Sequence, residues 1–407
     1  MRMDELKNRG WEKIRWVREH MPVLALLEER YARDKPLSGK RVAMAIHLEA
    51  KTARLALALK ALGAEVAVTS SNPLSAKDDV ALALSEEMPV HARGEATEEE
   101  YREFLLKVLS IRPHLVLDDG GDLSYLLHTE AWDLGRETIG VCEETTTGVI
   151  RLRKLEREGK LRFPAIAVND AQMKSLFDNR YGTGQSVWDA IMRTTNLLLA
   201  GKTVLVVGFG WCGKGIAQRA RGLGAQVIVA EVDPVKAAEA VMEGFRVAKV
   251  AEAIKEADFV VTATGCLNAV TYENILAAKD GAILANAGHF DVEIDVRSLY
   301  AKAKVKRVRE HVEECLLPNG KRVYLLAKGR LVNLVAGDGH PAEIMDLSFS
   351  LQLLSLLWLA REGRNHAPRV YPVPKEVDTE VARLFLRSRG IAIDELTLEQ
   401  REYLGLA

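Results

Sequence analysis

Three short segments of this chain concentrate side chains that are typical of acid–base chemistry. Residues 118–122 (Asp-Asp-Gly-Gly-Asp) place carboxylates on a glycine-rich turn, and residues 143–148 (Glu-Glu-Thr-Thr-Thr-Gly) place two carboxylates beside three hydroxyls. Lys174 and Asp178 are four residues apart, which puts them on one face of a helix. Each segment alone also fits an ordinary loop, helix start or surface ion pair. Together they predict a polar site.

A fourth segment is typical of a phosphate-binding turn. The apolar run 204–207 leads into Gly208, Gly210 and Gly213, a helical stretch follows, and the next apolar run ends at Glu231. Small residues let the backbone approach a pyrophosphate at a helix N-terminus, and the acidic residue can bind the adenosine ribose hydroxyls. Because a carboxylate repels a 2′-phosphate, the segment predicts NAD rather than NADP. A purely structural glycine turn is the alternative.

The strands and helices that position these segments are predicted from an alternating sequence pattern. Strand signals lie at 41–46, 65–69, 115–117, 204–207, 226–230, 259–262 and 282–284. Such alternation predicts parallel sheets covered by helices, in which ligands bind beyond the carboxyl ends of the strands. His47 and Asp119 each lie just past a strand signal, where site residues are expected. An apolar helix is predicted at 344–359, and the chain from Pro372 onward is charged and helical in pattern.

We therefore predict an α/β fold with two domains. The expected boundaries are 1–182 with 343–372 for a doubly wound α/β substrate-binding domain, 183–342 for a Rossmann-type NAD-binding domain, and 373–407 for a C-terminal helical extension that could contact another subunit. Two crossings join the domains, at 180–184 and 339–342. Both contain glycine, so they fit either a hinge or a pair of plain turns.

Composition excludes several other classes of protein. The 407 residues carry 56 basic and 57 acidic side chains, which predicts neither a nucleic-acid nor a membrane partner. The four cysteines are scattered, so we expect reduced thiols and no metal site. The charged N-terminus lacks the apolar core of a signal peptide, and the apolar run 351–360 is too short to span a bilayer. A cytoplasmic protein is expected.

The order of the polar strings resembles one family. They read DDGGDL, EETTTG, FDNRYG, GKG after the glycine turn, NAGHFDVEID, GRLVNL and GHP. This series, from about Pro36 to Leu404, is similar to that of adenosylhomocysteinases. The resemblance implies reversible, NAD-dependent hydrolysis of S-adenosyl-L-homocysteine to adenosine and L-homocysteine. In that chemistry the ribose 3′-hydroxyl is oxidised to a ketone, homocysteine is eliminated after loss of the 4′ hydrogen, water adds, and the ketone is reduced again. A homotetramer is also implied.

The resemblance assigns a role to each matching residue. Lys174 and Asp178 match the pair that handles the 3′-hydroxyl, with the pKa of the lysine lowered by its crowded site, and Glu144 matches the carboxylate that fixes the ribose hydroxyls. Asp119 matches the base at C4′, and His47 matches the acid for the departing thiolate at C5′. The other implied residues are Asn179 for positioning; Thr145, Thr146, Thr147, Gly208, Gly210, Gly213, Glu231, Asn286, His289 and Asn333 for the cofactor; and Glu49, Lys51, Thr52, His340 and Met345 for the substrate's base.

The residues after His47 do not decide which nucleobase the substrate carries. The family usually has Met-Thr-Val-Glu (or Gln)-Thr there, whereas this chain has Leu-Glu-Ala-Lys-Thr. With Glu49 an acceptor and Lys51 a donor, the pattern matches the carbonyl and ring N–H of hypoxanthine better than the amino group and ring nitrogen of adenine. S-inosyl-L-homocysteine is therefore the alternative substrate. The other reading is that Glu49 and Lys51 pair with each other and backbone near His340 recognises the base.

Three further departures from the family pattern affect the expectations. The chain ends at Ala407, short of the Lys/Tyr-containing tail that reaches a neighbouring subunit's NAD site, so NAD is expected to be held either less tightly or by other contacts. Thr183 replaces a cysteine, which predicts no redox modulation there, and Trp211-Cys212 replaces Asp-Val in the glycine turn.

Two other functions share the predicted fold. A dehydrogenase of small hydroxy acids would not need the polar strings upstream of the glycine turn. A non-catalytic nucleotide sensor should have lost acid–base residues, and here each of them is retained.

Overall fold

The computed structural model describes residues 2–406. The strands are β1 Arg41–Ala45, β2 Glu65–Thr69, β3 Leu115–Asp118, β4 Gly140–Glu143, β5 Ala165–Ala167, β6 Thr203–Val207, β7 Gln226–Ala230, β8 Arg246–Val247, β9 Phe259–Thr262, β10 Ala282–Asn286, β11 Lys304–Arg309, β12 Val312–Leu316, β13 Arg322–Leu326 and β14 Val370–Pro372. The helices are α1 Met3–Glu19, α2 Pro22–Tyr31, α3 Ala50–Ala61, α4 Asp78–Leu84, α5 Glu98–Leu109, α6 Asp122–His128, α7 Thr146–Arg157, α8 Gln172–Lys174, α9 Thr183–Thr195, α10 Trp211–Gly222, α11 Pro234–Met242, α12 Val250–Ala253, α13 Tyr272–Ala277, α14 Val296–Lys302, α15 Val332–Val335, α16 Ala342–Glu362, α17 Lys375–Ser388 and α18 Leu398–Tyr403.

The first sheet brings two of the polar loops together. Its order is β14-β5-β4-β3-β1-β2, with every pair parallel. The strand order reverses between β1 and β3, and Ala45 at the end of β1 lies opposite Asp118 at the end of β3. The loops that follow these strands, which carry His47 and Asp119, therefore open into the same crevice.

The second sheet has the order β11-β12-β13-β10-β9-β6-β7-β8. The six strands from β13 to β8 are parallel, while β11 and β12 form an antiparallel hairpin against β13. This is the strand order of a dinucleotide-binding domain, with its reversal between β6 and β9. The predicted two-part α/β architecture with a Rossmann-type sheet is confirmed.

Helices cover both faces of the central parallel strands, and because these strands are buried on two sides they are apolar along most of their length. The alternate side chains of β1 show this, since Val42 and Met44 belong to one apolar core while Ala43 and Ala45 belong to another. Helix α16 packs against α2, α17 and β4. The stretch Ala342–Asn365 is long and apolar enough to cross a membrane, but 72% of its apolar window is buried, as expected of a core helix.

Two local predictions differ from the structure. Lys174 and Asp178 do not lie along one α-helix, because α8 ends at Lys174 and the chain continues as a π-helix over Ser175–Gly182. A π-helix widens the turn and is frequent at functional sites. The C-terminal extension is also not helical throughout, since an exposed, non-helical stretch separates α17 from α18.

The two interdomain crossings contact each other. A Cβ atom added to Gly182 would lie 2.9 Å from His340 Nδ1. Glycine therefore lets the first crossing pack directly on the histidine ring of the second.

Candidate active site

One cavity of about 1490 Å³ lies between the carboxyl ends of the two sheets, and its volume exceeds the usual range for a single small ligand. Most of the predicted site residues line it. They are His47, Glu49, Lys51, Thr52, Asp119, Glu144, Thr145, Thr146, Thr147, Lys174, Asp178, Asn179, Gly208, Gly210, Glu231, His289, Asn333, His340 and Met345. Gly213 and Asn286 do not line it. The three polar clusters and the glycine turn therefore share one site.

The glycine turn leaves room for a ligand where the fingerprint predicts one. Gly208 has a φ of +98°, a conformation that side chains disfavour, and a Cβ at Gly213 would lie 1.9 Å from Gly208 O. By contrast, a Cβ at Gly210 would meet nothing within 4 Å, because it faces the open cavity at the start of α10. The backbone thus forms a cradle at a helix N-terminus, which suits a pyrophosphate.

The acidic residue at the end of β7 is held by backbone N–H groups. Glu231 Oε2 accepts a hydrogen bond from Phe209 N at 2.7 Å, and Oε1 accepts from Val232 N and Asp233 N. These bonds orient the carboxylate at the rim of the glycine turn, and Oε2, which accepts only one of them, keeps a lone pair for a ribose hydroxyl. The arrangement fits the NAD that the fingerprint predicts.

The opposite end of the cofactor region contains an unpaired buried acceptor. Asn333 is 2% exposed, its Nδ2 donates to Ser186 Oγ, and its Oδ1 has no hydrogen-bond partner among the described residues. Such an acceptor needs a hydrogen-bond donor, and a carboxamide N–H can supply one. Asn333 therefore fits a nicotinamide amide.

Asn286 was predicted to contact the cofactor, but it lies beneath the cavity surface. Its Nδ2 donates to Gly288 O, Phe290 O and Gly329 O, and its Oδ1 accepts from Gly288 N. Three of these bonds hold the loop that follows β10 and carries His289, and the bond to Gly329 ties that loop to the segment after β13.

His47, Asp119 and His289 form a cluster at the reversal point of the first sheet. His47 Nε2 lies 3.6 Å from Asp119 Oδ2, and His289 Nδ1 lies 3.8 Å from Asp119 Oδ1. One ligand atom from each lies within 4.8 Å of the others, a spacing that would also suit a metal ion. Asp119 Oδ1 is buried without a hydrogen-bond partner among the described residues, so it has capacity for a proton or a donor.

The protonation state of His47 differs from the one that its predicted acid role needs. Burial lowers the pKa of His47 to about 4, although the Asp119 carboxylate partly opposes this effect. On the other side of the ring, Nδ1 lies 2.6 Å from Ser75 Oγ, whose own hydrogen bond goes to Asn72 O. The imidazole is therefore neutral at neutral pH. Nδ1 shares a hydrogen bond with Ser75 Oγ, and Nε2 faces Asp119 Oδ2.

A second cluster surrounds Lys174. Lys174 Nζ lies 3.7 Å from Glu144 Oε1 and 3.2 Å from Asp178 Oδ1, and it donates to Asn179 Oδ1 at 2.7 Å. His340 Nδ1 lies 3.0 Å from Asp178 Oδ1. All but His340 are less than a tenth exposed. The pair predicted from its spacing is therefore a buried cluster rather than a surface ion pair.

The prediction of a lowered pKa for Lys174 is wrong. Burial by itself lowers the pKa of Lys174, but the Asp178 and Glu144 carboxylates outweigh it and raise that pKa above its usual range. Burial raises the pKa of Glu144 to about 8, even though Lys174 opposes the shift. For Asp178, burial is outweighed by Lys174 and His340, which hold its pKa below the usual range. Glu144, not Lys174, titrates near neutral pH.

Glu49 and Lys51 pair with each other. Lys51 Nζ lies 2.7 Å from Glu49 Oε2 and also donates to Asp338 O at 2.8 Å. The Glu49 carboxylate additionally accepts from the backbone N of Lys51 and Thr52, which caps α3. This is the pairing that the sequence left as an alternative to direct recognition of the base. One ammonium proton of Lys51 remains free at the cavity wall.

Several residues at the site carry no obvious sequence signal. They are Ser75 behind His47, Asn169 between Thr146 and Asn179, Ser186 behind Asn333, and Ser348 and Gln352 behind the Lys174 cluster. Only the last two could have been noticed, as polar residues four apart within an apolar helical run.

Glu143 was also missed, although it lies next to a predicted residue. Its Oε1 accepts from Gly120 N at 2.8 Å and from both the backbone N and Oγ1 of Thr145 at 2.9 Å. Burial and the neighbouring Asp118 raise the pKa of Glu143 well above its usual range. This carboxyl group ties the Asp119 loop to the threonine loop.

A thiol lies beside Thr183, the residue that replaces a cysteine of the family pattern. Thr183 Oγ1 donates to Cys212 Sγ at 3.6 Å and lies 3.1 Å from His340 Nε2. Cys212 comes from the glycine turn and lines the cavity. A residue distant in sequence therefore places a thiol next to Thr183.

Two protein-family models and several named proteins match this chain. A model described as S-adenosyl-L-homocysteine hydrolase matches residues 3–135, and one described as S-adenosyl-L-homocysteine hydrolase, NAD binding domain, matches residues 179–339. The adenosylhomocysteinase of Thermotoga maritima is 59% identical over 98% of this chain and 99% of its own length. The S-inosyl-L-homocysteine hydrolase of Methanopyrus kandleri is 57% identical over 99% of this chain and 96% of its own.

A solved structure of lower similarity shares the fold. A dipicolinate synthase from Bacillus halodurans superposes with a TM-score of 0.51 at 14% identity, covering 80% of this chain and 100% of the chain compared. At this identity the likeness concerns the fold alone.

Proposed function

The chain belongs to the S-adenosyl-L-homocysteine hydrolase family, and we propose that the residues around its cavity carry out the hydrolysis in two adjoining clusters. The protein is an NAD-dependent thioether hydrolase of the adenosylhomocysteinase type. The observation that carries the proposal is the meeting of the Lys174 cluster, the His47–Asp119 cluster and the glycine turn around one cavity. When bound at the glycine turn, NAD supplies the reversible oxidation of the ribose 3′ carbon.

The Lys174 cluster serves the 3′-hydroxyl in this proposal. Glu144 is the better proton acceptor, because its pKa of about 8 lies near the working range and its Oε1 has no hydrogen-bond partner among the described residues. Lys174 remains charged and stabilises negative charge that develops on the 3′-oxygen. Asp178 and Asn179 hold the ammonium group between them. This reassigns the proton acceptor from Lys174 to Glu144.

The His47–Asp119 cluster serves the elimination and the addition of water. Asp119 takes the 4′ hydrogen once the neighbouring carbon is a ketone, and returns it in the second half of the cycle. A neutral His47 is suited to take a proton from the water that adds at C5′. It can donate to the departing sulfur only after taking up a proton, which the Asp119 carboxylate 3.6 Å away favours.

The principal substrate that we propose is S-adenosyl-L-homocysteine, and S-inosyl-L-homocysteine is the second candidate. The ion pair with Lys51 and the cap bonds to α3 occupy most of the Glu49 acceptor capacity, which supports a base recognised by other groups. The free Lys51 proton supports the second candidate, because it matches the carbonyl of hypoxanthine. Relatives with both names occur at similar identity, 59% and 57%.

The deciding experiment measures homocysteine release from both thioethers, side by side, with NAD and no external reductant. Faster release from the adenosine compound supports the principal assignment, and faster release from the inosine compound supports the second candidate. Release from neither would overturn the proposed function.

The remaining features of the proposal concern assembly. We propose a cytoplasmic homotetramer in which residues 373–407 lie at a subunit contact. Each subunit has a substrate domain of 1–182 and 343–372 and an NAD domain of 183–342. The two crossings between these domains form a hinge. Exposed apolar side chains in that last segment, including Ile393 at 67% and Leu398 at 70%, support a contact with another subunit. Light scattering of the full-length protein tests the assembly, and a monomer would contradict it.

A further inference from the structure

Helix α16 carries two polar residues in an otherwise apolar segment beside the site. Ser348 and Gln352 are four residues apart, so they lie on the same face of the helix, and both are completely buried. Neither lines the cavity, although their neighbour Phe349 does. They are therefore positioned behind the groups that a substrate would touch.

Each of the two residues donates a hydrogen bond to one carboxylate of the Lys174 cluster. Ser348 Oγ donates to Asp178 Oδ2 at 2.6 Å, and Gln352 Nε2 donates to Glu144 Oε2 at 2.5 Å. The other oxygen of each carboxylate faces Lys174 Nζ, at 3.2 Å for Asp178 and 3.7 Å for Glu144. Both carboxylates are thus held on one side by α16 and face the lysine on the other.

A general need of buried polar groups for hydrogen-bond partners does not explain these two bonds. Ser350 and Ser355 lie on the same helix, are equally buried, and their hydroxyls have no hydrogen-bond partner among the described residues. A buried hydroxyl on α16 therefore does not need a partner for the helix to pack. Gln352 even leaves its Oε1 unpaired while its amide N–H points at Glu144.

We propose that Ser348 and Gln352 are positioning residues that set the distance and rotation of the two carboxylates flanking Lys174 for the reaction at the 3′-hydroxyl. A carboxylate without such a bond can rotate about its terminal torsion, which lengthens the path of proton transfer. Misplacement of a reacting group by about 1 Å can cost roughly a hundredfold in rate. This inference rests on the proposed function, since it assigns the Lys174 cluster to the oxidation step.

The test compares Ser348→Ala and Gln352→Met with Ser350→Ala and Ser355→Ala as matched controls. The full-length protein with NAD is mixed rapidly with S-adenosyl-L-homocysteine, and the appearance of reduced nicotinamide is followed by absorbance over a range of pH. We expect Ser348→Ala and Gln352→Met to slow this step about tenfold to a hundredfold, with little change in the substrate concentration that gives half-maximal rate. The two controls should match the unsubstituted protein.

A second readout separates positioning from general loss of structure. Because the Gln352 amide favours the charged form of Glu144, Gln352→Met should shift the pH midpoint of the oxidation step upward, which a merely loosened fold would not do. Thermal unfolding of each variant checks folding, and Ser348→Ala alone decides the question if Gln352→Met does not fold. Rates and pH midpoints equal to those of the controls would overturn the inference while leaving the proposed function intact. Absence of reduced nicotinamide in the unsubstituted protein would instead overturn both.

Discussion

Lys51 and Glu49 form an ion pair at the wall of the cavity, with Nζ and Oε2 2.7 Å apart. Both side chains are less than a tenth exposed, so each charge depends on the other for compensation. The pair also joins the two halves of the protein, because Lys51 Nζ donates to Asp338 O just before the second crossing. Any role of Lys51 in recognising the nucleobase must therefore use its remaining proton.

Lys51→Met tests this role directly. If the free Lys51 proton meets the base, the variant should lower the ratio of kcat/KM for the inosine thioether over the adenosine thioether by about tenfold, since a lost buried donor costs about 1–3 kcal/mol. Lys77→Met is the matched control, because Lys77 donates to Leu334 O and Gly337 O in the neighbouring segment but does not line the cavity. A ratio unchanged in both variants would show that Lys51 does not recognise the base.

Glu144→Gln tests the proton acceptor. With a pKa of about 8, Glu144 is mostly protonated at pH 7, so the rate of 3′-oxidation should rise as the pH passes through about 8 and then level off. The amide cannot accept the proton, so the rate of 3′-oxidation in the variant should fall about 10²- to 10⁴-fold. That rate should also no longer increase as the pH passes through about 8. Rapid mixing at a series of pH values measures both. A variant that kept the rise near pH 8 would exclude Glu144 as the titrating group.

Asp119→Asn should separate oxidation from elimination. The variant keeps the shape of the side chain but cannot hold the 4′ hydrogen, so exchange of that hydrogen with deuterated water should fall about 10²- to 10⁴-fold. Reduced nicotinamide should still appear when substrate is added. Asp122→Asn provides the control, since Asp122 lies three residues further along, at the start of α6, and bonds Tyr101 and Arg151 away from the cavity. Exchange at an undiminished rate in Asp119→Asn would assign the base elsewhere.

Glu231→Gln should weaken the discrimination between NAD and NADP. The amide oxygen can still accept a backbone N–H, but the negative charge that repels a 2′-phosphate is gone. We expect the ratio of dissociation constants, NADP over NAD, to fall at least about tenfold, measured calorimetrically on cofactor-free protein. The comparison variant is Asp233→Asn, which removes a nearby charge but keeps the cap of α11. If the ratio of dissociation constants fell equally in both variants, the discrimination would depend on the overall negative charge of this region rather than on Glu231.

Asp346 should make stability depend on pH. Burial raises its pKa from 3.8 to about 7, although the backbone N–H bonds from Val23 and Leu24 oppose the shift. Since the folded protein holds this proton more tightly than the unfolded chain, the stabilisation is complete below about pH 4 and is lost as the pH rises to about 7. At 1.4 kcal/mol per pKa unit this amounts to about 4 kcal/mol at most.

Asp346→Asn should remove that dependence, because the amide does not titrate in this range. Denaturant unfolding of both proteins between pH 4 and pH 8 measures the difference in slope. Asp378→Asn is the control, since Asp378 also accepts two backbone N–H bonds but is only partly buried. Parallel pH curves for the unsubstituted protein and Asp346→Asn would contradict the prediction.

The sequence determined the order of the strands and helices and identified the loops that carry the site residues. Strand and helix periodicity, together with the glycine spacing after β6, is a local property, so it can be read without knowing the fold. The placement of His47 and Asp119 in one crevice also followed, because residues after neighbouring parallel strands open on the same edge of a sheet.

Only the tertiary structure decided how those groups are paired and charged. The approach of Ser348 and Gln352 to Asp178 and Glu144 joins segments far apart in the chain, and no local pattern specifies it. The raised pKa of Lys174 likewise depends on two carboxylates brought to it in a buried place. Spacing along a chain indicates which side chains can meet, whereas their protonation and partners depend on desolvation and on neighbours that folding brings together.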